Sequence, residues 1–339
     1  MLGPIAWRTP PVHYGPWEQV TSLLTEGLVR RGVDVTLFAT ADSMTSARLE
    51  SVAPHGYGDD PAMDGRVWEA MHVAEALRRS ASFDVIHNQL DWLPLAFSRS
   101  WRAPMVTTIH GFSGPDILPA YRASDSAYVA ISDADRAPEL HYAATIHHGI
   151  DVDAFPFTGS PGESLAVFGR IHPDKGIVDA IEIARRARRR LVICGPVHDR
   201  DYFADEVEPR LDGDRVVYLG SVGSAERARV LGSSAVLLHP IHFDEPFGLS
   251  VVEAMACGTP VVAYRRGSMP EVVDDGVTGF AVEPSDAAAA ASAVDRAALL
   301  DRAEVRARAA ARFGVERMVD AYLRVYADVI RAAGAPASG

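Results

Sequence analysis

Short apolar runs alternate with amphipathic segments along nearly the whole chain. In the first half, apolar runs at residues 33–39, 83–87, 104–110 and 127–131 predict strands. Between them, residues 17–31 and 67–79 carry apolar side chains three and four positions apart, which predicts helices that bury one face. Strands that alternate with helices in this way favour a parallel sheet with helices on both faces.

Residues 158–164 (TGSPGES) interrupt the alternation with glycine, proline and serine, which indicates a linker. The alternation then restarts, with strands predicted at residues 165–168, 191–194, 216–219, 235–238 and 260–263 and a helical tail at residues 287–311. The sequence therefore predicts an α/β chain of two doubly wound, Rossmann-like domains, residues 1–157 and 158–314. We expect them to face each other across a cleft, with ligands at the carboxyl ends of the strands.

Composition narrows the function. The net charge of −12 over 339 residues argues against nucleic-acid binding, because a duplex-binding surface needs clustered cations. An acidic chain that binds an anion must instead collect a few cations at one place. Cys194 and Cys257, the two cysteines, have the spacing of neither a zinc site nor a redox pair. Without a charged leader or an apolar run of about eighteen residues, we expect a cytoplasmic protein with no membrane insertion.

Residues 244–262 place a carboxylate and a glycine after a predicted strand and before a predicted helix. Glu245 precedes the helix and can accept hydrogen bonds from sugar hydroxyls. Gly248 lets a ligand approach the main chain, and the helix start offers unpaired N–H groups and a positive dipole end to a diphosphate. Eight residues advance a helix by about 800°, so we expect Glu253 to face the same side as Glu245 and to bind a ribose. The residues expected at the helix start are Phe247, Gly248, Leu249 and Ser250.

Residues 168–176 (FGRIHPDKG) form a second loop between a predicted strand and a predicted helix. Arg170 supplies a planar fork and Lys175 a point charge, and both suit a diphosphate. Gly169, Arg170 and Lys175 are therefore candidate diphosphate-binding residues, and we expect the two cations to stabilise the negative charge of a diphosphate.

These two segments resemble the retaining glycosyltransferases of family 4, which have the two-domain GT-B fold. The resemblance is carried by Glu245 and Glu253 with seven residues between them, by ACGTPVVA at 256–263, by GSMPE at 267–271 and by the Gly-Arg and Lys-Gly pairs within 169–176. It implies that a sugar moves from a nucleoside-diphosphate sugar by front-face attack, with the leaving phosphate helping to take the acceptor proton. UDP is the commonest donor nucleotide of the family, with guanosine and thymidine left open, and no cofactor is implied.

The resemblance also implies roles outside these segments. His110, at the end of a predicted strand, is expected to contact the donor sugar near the reacting carbon. The family carries two consecutive glycines in the loop before the first helix that pack against the donor, so Gly15 is expected to contact the donor. Pro16 stands in place of the second glycine and removes one main-chain N–H. A final helix, residues 315–333, is expected to return to the N-terminal domain. The residues expected to be catalytic are His110, Arg170, Lys175 and Glu245.

The residues leave other functions open. A nucleotide-sugar epimerase or a non-catalytic nucleotide-sugar-binding protein could share this architecture. A dehydrogenase would need a Gly-x-Gly-x-x-Gly turn, which is absent near residues 10 and 169. No cluster of His, Asp or Glu stands out as a metal site, so we expect metal-independent chemistry. The acceptor, a small molecule or a saccharide, is not indicated; the Ala- and Arg-rich composition is typical of high-GC bacteria, where such enzymes often serve antibiotic and other secondary-metabolite biosynthesis.

Overall fold

The computed structural model describes residues 1–13, 15–111 and 114–334, and the chain forms two compact units. The first unit consists of Met1–Gly149 and the C-terminal segment that begins at Val315, and the second consists of Ile150–Gly314. Each unit contains a parallel sheet accompanied by helices. The predicted α/β class with two Rossmann-like domains is therefore confirmed.

The second unit begins at Ile150, eight residues before the predicted residue 158, because residues 150–157 are bound to this unit. Ile150 N donates a hydrogen bond to the carbonyl oxygen of Phe313 at 2.8 Å. The Arg306 guanidinium donates to the carbonyl oxygen of Val152 at 3.2 Å. The glycine-, proline- and serine-rich residues 158–164 therefore form a loop inside the second unit and do not mark where that unit begins.

The sheet of the first unit is completed by the first residues of the chain. Two pieces, β2-β1 and β3-β4-β5-β6, are joined by Leu2, which bridges β1 and β3 in parallel. Leu2 N donates to the carbonyl oxygen of His87, and Phe38 N donates to that of Met1, each at 2.8 Å. The strands are β1 (Thr36–Phe38), β2 (Arg48–Glu50), β3 (Ile86–Asn88), β4 (Met105–Ile109), β5 (Ala127–Ala130) and β6 (Tyr142–Thr145).

The four strands predicted for this unit are present but shorter than the apolar runs. β2 and β6 were not predicted. Both lie at the edges of the sheet, where their side chains are half-buried or exposed, so they lack the continuous apolar run of a strand buried on both faces. The first helices are α1 (Pro16–Arg30), α2 (Gly65–Arg78) and α3 (Leu118–Arg122).

The second unit contains a six-stranded sheet in the order β12-β11-β10-β7-β8-β9, with every neighbouring pair parallel. Its strands are β7 (Leu165–Phe168), β8 (Leu191–Cys194), β9 (Val216–Tyr218), β10 (Val236–His239), β11 (Val261–Tyr264) and β12 (Gly279–Val282). Its helices are α4 (Ile177–Arg186), α5 (Arg200–Tyr202), α6 (Ser224–Ser233), α7 (Leu249–Ala256), α8 (Met269–Val272), α9 (Ala287–Ala297) and α10 (Arg302–Phe313). The first five strands lie within a residue of their predicted positions; β12 is an edge strand and was not predicted.

This strand order places β7 and β10 side by side at the centre of the sheet. The chain winds outward from β7 to β9, crosses back to β10, and then winds outward in the opposite direction. The loops that leave β7 and β10 therefore diverge at a topological switch point, which is where open α/β sheets bind ligands.

The predicted helical tail at 287–311 is two helices, because α9 ends before Asp301 and α10 begins after it. The Asp301 side chain accepts from Ala303 N at 2.9 Å and caps α10. The next residue, Arg302, is buried and donates to four oxygens of the second unit. They are the carbonyl oxygens of Thr158 (2.6 Å), Gly232 (2.8 Å) and Ser234 (3.0 Å) and the hydroxyl of Thr259 (2.8 Å).

The last helix, α11 (Val315–Gly334), belongs to the first unit and packs against α1. A Cβ on Gly27 would lie 2.4 Å from a methyl group of Val319, so glycine lets the two helices approach closely. Tyr322 and Tyr326 of α11 are buried. Over the part of the chain that the structure describes, no helix is both long and apolar enough to cross a membrane.

Replacing Arg302 by Met is expected to lower the free energy of unfolding by about 3 kcal/mol, because it leaves three buried carbonyl oxygens without their donor. Urea unfolding followed by circular dichroism measures the change. Arg308→Met on the same helix is the control, since Arg308 is exposed and, within the described residues, its one ion pair is with Glu304. Equal urea midpoints for the two variants would show that the hydrogen bonds of Arg302 do not stabilise the fold.

Candidate active site

The loop after β7 carries the predicted cations and is held against the segment after β10. Pro173–Lys175 form a turn of 3-10 helix, and Gly176 follows in the left-handed region with a φ of +62°. A Cβ on Gly176 would lie 1.8 Å from the carbonyl oxygen of Pro240, so only glycine fits there. α4 begins at the next residue. This contact places Lys175 beside the loop that follows β10.

The loop after β10 is fixed from its other side by the segment before α8. A Cβ on Gly267 would lie 2.3 Å from the carbonyl oxygen of Glu245. Ser268 N donates to that oxygen at 2.8 Å, and Ser268 Oγ donates to the carbonyl oxygen of Phe247 at 3.0 Å. The Phe247 side chain is buried against Phe313. Of the predicted donor-binding residues, Phe247 therefore anchors the loop in the core, and only its main chain lies near the helix start.

Glu245 forms the centre of an ion cluster. Lys175 Nζ lies 3.2 Å from Glu245 Oε2, and their side chains are only 17% and 13% exposed. Nε2 of His239 lies 3.4 Å from the same oxygen and has no well-formed hydrogen bond within the described residues. Burial by itself would raise the pKa of Glu245, but His239 and Lys175 together outweigh it and lower that pKa to about 2. Glu245 is therefore ionised at neutral pH.

Arg170, the other predicted cation, is half-buried. Its guanidinium makes no hydrogen bond or ion pair among residues 1–13, 15–111 and 114–334. Gly169 next to it leaves room for the Lys175 side chain, since a Cβ there would lie 3.3 Å from Lys175 Cδ. The loop after β7 thus offers one paired and one unpaired cation.

The helix after Glu245 begins later than predicted. α7 starts at Leu249, and Gly248 is its N-cap with a φ of +90°. The N–H groups of Leu249 and Ser250 belong to the first turn, which has no acceptor within the helix. Because Glu245 stands before the helix, the count of eight helical residues to Glu253 was wrong: only residues 249–253 are helical.

Glu253 has a different partner from Glu245. Arg227 Nε on α6 donates to Glu253 Oε2 at 2.6 Å, and a second nitrogen of the guanidinium contacts the same oxygen. The guanidinium lies 5.1 Å from the centre of the Phe168 ring. Burial raises the pKa of Glu253, and Arg227 opposes that shift. The sequence gives no signal for Arg227, because only the packing of α6 beside α7 distinguishes it from the other arginines.

In the first unit, His110 follows β4 and is enclosed by other side chains. Its Nε2 lies 2.5 Å from Gln89 Oε1, its Nδ1 lies 3.3 Å from His148 Nε2, and its ring stacks on Trp17 at 5.1 Å. Burial and the nearby His87 lower the pKa of His110 to about 3, so the ring is neutral. Sequence reasoning missed Gln89, because an isolated glutamine after a strand carries no motif.

Gly15 is the N-cap of α1 and has a φ of +151°. Pro16 occupies the first helical position, where a missing N–H leaves no helical hydrogen bond unmade. Tyr14, the preceding residue of the predicted loop, lies outside the described residues. Among the residues that are described, no group of three or more His, Cys, Asp or Glu side chains is placed to hold a metal ion.

Two family descriptions match the chain in succession. Residues 18–154 match Glycosyltransferase Family 4, and residues 159–312 match Glycosyl transferases group 1. The chain is 30% identical over 382 residues to the D-inositol 3-phosphate glycosyltransferase of Saccharomonospora viridis, covering 90% of this chain and 87% of that protein. It is 29% identical over 368 residues to the glycogen synthase of Mycobacterium tuberculosis, covering 91% and 88%.

Solved structures give the same result for the fold. AviGT4, a glycosyltransferase involved in avilamycin A biosynthesis, superimposes with a TM-score of 0.76 at 25% identity and covers 96% of this chain and 93% of its own. The Anabaena protein HepE in complex with UDP and glucose gives a TM-score of 0.72 at 20% identity, covering 92% and 96%. At 20% identity the second likeness concerns the fold alone.

The depressed pKa of Glu245 predicts a pH-dependent stability. A carboxyl whose pKa falls from 4.5 to about 2 on folding stabilises the native state above pH 4.5 and loses that contribution towards pH 2. The stability difference between the wild type and Glu245→Gln is therefore expected to shrink on acidification, by on the order of 3 kcal/mol in full. Urea midpoints between pH 6 and pH 3 measure it.

Glu253→Gln is the matched comparison, because the folded state raises the pKa of Glu253 instead. Acidification therefore increases the stability of the wild type relative to Glu253→Gln. It decreases the stability of the wild type relative to Glu245→Gln, so the two stability differences change in opposite directions with pH. Parallel changes for both variants would contradict the electrostatic assignment of Glu245.

Proposed function

The chain belongs to glycosyltransferase family 4, and we propose that its donor is a nucleoside-diphosphate sugar whose diphosphate binds at the carboxyl ends of β7 and β10. It is a transferase of the GT-B fold that acts on sugar donors. The observation that supports the proposed site most strongly is the largely buried Lys175–Glu245 pair at the switch point of the second sheet, on whose loop Arg170 makes no ion pair among the described residues.

The diphosphate is proposed to bind Arg170, Lys175 and the first turn of α7. An unpaired Arg can form two parallel hydrogen bonds with phosphate oxygens, and Lys175 adds a charge that Glu245 holds in place. The first-turn N–H groups of Leu249 and Ser250 suit an anion, because they have no helical acceptor and lie at the positive end of the helix dipole. Glycine is needed at position 248 for its φ of +90°, and the place of a Cβ there is taken by the Met269 methyl group, 2.7 Å away.

The two carboxylates are proposed to bind hydroxyls at opposite ends of the donor. Glu245 is ionised and therefore only accepts hydrogen bonds, which suits the hydroxyls of the sugar. Glu253 uses Oε2 for both contacts with Arg227, and Oε1 has no partner among the residues that the structure describes. That oxygen is available to a ribose hydroxyl, while Arg227 keeps the carboxylate oriented.

In the first unit, Gly15 and His110 are proposed to contact the donor, as the family resemblance implies. Both ring nitrogens of His110 already have partners, so contact with a sugar hydroxyl requires one of those bonds to be exchanged. The bond to His148 is longer than the bond to Gln89 by 0.8 Å (3.3 against 2.5 Å) and is the one expected to be exchanged.

We propose that transfer retains the anomeric configuration and proceeds without a metal ion or cofactor. The negative charge of the leaving diphosphate is met by Arg170, Lys175 and the helix N–H groups, which are in place before the reaction. UDP is the first nucleotide to test, because it is the commonest in the family and a protein of the same fold was solved with it. The proposed acceptor is a hydroxyl-bearing small molecule or saccharide, and AviGT4 makes antibiotic biosynthesis a pathway class worth testing.

Arg170→Ala is expected to lower kcat at saturating donor about a hundredfold, because it removes roughly 3 kcal/mol of transition-state stabilisation. Folding is expected to survive, since Arg170 makes no ion pair in the described part of the chain. Steady-state transfer from the best donor of a nucleotide-sugar panel, with chelator present, measures the change. The anomeric proton signals of donor and product report retention.

Arg200→Ala is the matched control, because Arg200 is an exposed arginine of the same unit and lies after a different strand. We expect it to keep the wild-type kcat. Full turnover by Arg170→Ala at saturating donor would refute the proposed diphosphate site.

A further inference from the structure

A continuous chain of buried hydrogen bonds runs through the first unit behind His110. His148 Nε2 lies 3.3 Å from His110 Nδ1, and His110 Nε2 lies 2.5 Å from Gln89 Oε1. Gln89 Nε2 lies 3.3 Å from His87 Nε2, and His87 Nδ1 lies 2.6 Å from the hydroxyl of Tyr326 on α11. All five side chains are buried, so their polar atoms need partners within the protein.

The three imidazoles of this chain are neutral. Burial lowers the pKa of His110 to about 3 and holds the pKa values of His87 and His148 well below the usual range. A neutral imidazole carries one N–H donor and one acceptor nitrogen. Its two tautomers therefore present opposite hydrogen-bonding faces, and the neighbours decide which one is populated.

The amide of Gln89 is the member of the chain whose two ends have fixed roles, since its oxygen only accepts and its nitrogen only donates. Because Oε1 faces His110, Nε2 of His110 carries the proton and Nδ1 accepts from His148. Because the amide nitrogen faces His87, Nε2 of His87 accepts and its Nδ1 donates to Tyr326. One amide orientation thus sets the direction of the bonds from His148 to Gln89. At His87 the amide acts together with the Thr108 hydroxyl, which lies 2.8 Å from the same Nε2 atom and donates to it when Nε2 is the acceptor.

We propose that Gln89 is a positioning residue that locks His110 in the neutral tautomer protonated at Nε2. The strong bond to Gln89 and the stacking on Trp17 hold the ring, and the weaker bond to His148 leaves Nδ1 as the acceptor for a hydroxyl of the donor sugar. The catalytic consequence rests on the proposed function, whereas the tautomer of the free protein does not.

The first test is spectroscopic and uses the full chain without ligand. Long-range proton–nitrogen correlation spectra of the 15N-labelled protein identify the protonated ring nitrogen, with His110→Gln supplying the assignment. We expect Nε2 of His110 and Nδ1 of His87 to be protonated in the wild type. Protonation of His110 at Nδ1, or an equal mixture, would overturn the proposal.

Two variants of Gln89 distinguish the effect of its hydrogen bonds from the effect of its size. Gln89→Met keeps the size of the side chain but loses both hydrogen bonds, so His110 is expected to populate both tautomers. Gln89→Glu with an ionised carboxylate can only accept from His110, so Nε2 of His110 is expected to stay protonated when that carboxyl is ionised. An unchanged His110 tautomer in Gln89→Met would overturn the proposal.

The kinetic arm separates this inference from the proposed function. We expect kcat of Gln89→Met to fall about tenfold or more with donor KM within about twofold, and Gln89→Glu to retain most of kcat. Wild-type kcat in Gln89→Met would overturn the positioning role. If the tautomer results hold but the wild type transfers sugar from no nucleotide donor, the proposed function fails and the tautomer assignment stands.

Discussion

The close approach of the loops that leave β7 and β10 is the constraint on which the candidate site depends. Gly176 adopts a φ of +62° so near Pro240 that any larger residue would strike the main chain. This approach places Lys175 3.2 Å from Glu245, and the buried pair is tolerated because each charge has a partner. The strand order that makes β7 and β10 neighbours sends the chain in opposite directions after them, and open α/β sheets bind ligands at such switch points.

The two units handle buried polar groups in different ways. In the second unit, Lys175 with Glu245 and Arg227 with Glu253 are ion pairs. In the first unit, the groups around His110 are neutral and satisfy one another through directional hydrogen bonds. A neutral network fixes the orientation of its members through directional hydrogen bonds and carries no net charge.

The fold and half of the candidate site could be predicted from the sequence because their signals are local. β7 and β8 have the residues that their apolar runs predict, and the loops after β7 and β10 carry the expected cations and carboxylates. The start of α7 was predicted two residues early, because a left-handed N-cap glycine extends the loop beyond Glu245. Edge strands β2 and β6 have half-buried or exposed side chains and lack the continuous apolar run on which the prediction relied.

The partners of the site residues could not be predicted, because they come together only on folding. Arg227 reaches Glu253 from a different helix, and Gln89 reaches His110 from a neighbouring strand end. Neither stands in a motif. Their importance lies in orientation, since Arg227 leaves one oxygen of Glu253 free and Gln89 decides which nitrogen of His110 can accept a hydrogen bond.

Calorimetric titration with UDP, GDP, dTDP and uridine tests the central claim most directly, namely that the loops after β7 and β10 form a diphosphate site. The account predicts saturable binding of at least one nucleoside diphosphate. Two charge-assisted hydrogen bonds are worth about 3 kcal/mol or more together, so binding of the matching nucleoside without phosphates should be weaker by about a hundredfold. The account would be contradicted if no nucleoside diphosphate bound. It would also be contradicted if UDP bound and uridine bound with the same affinity.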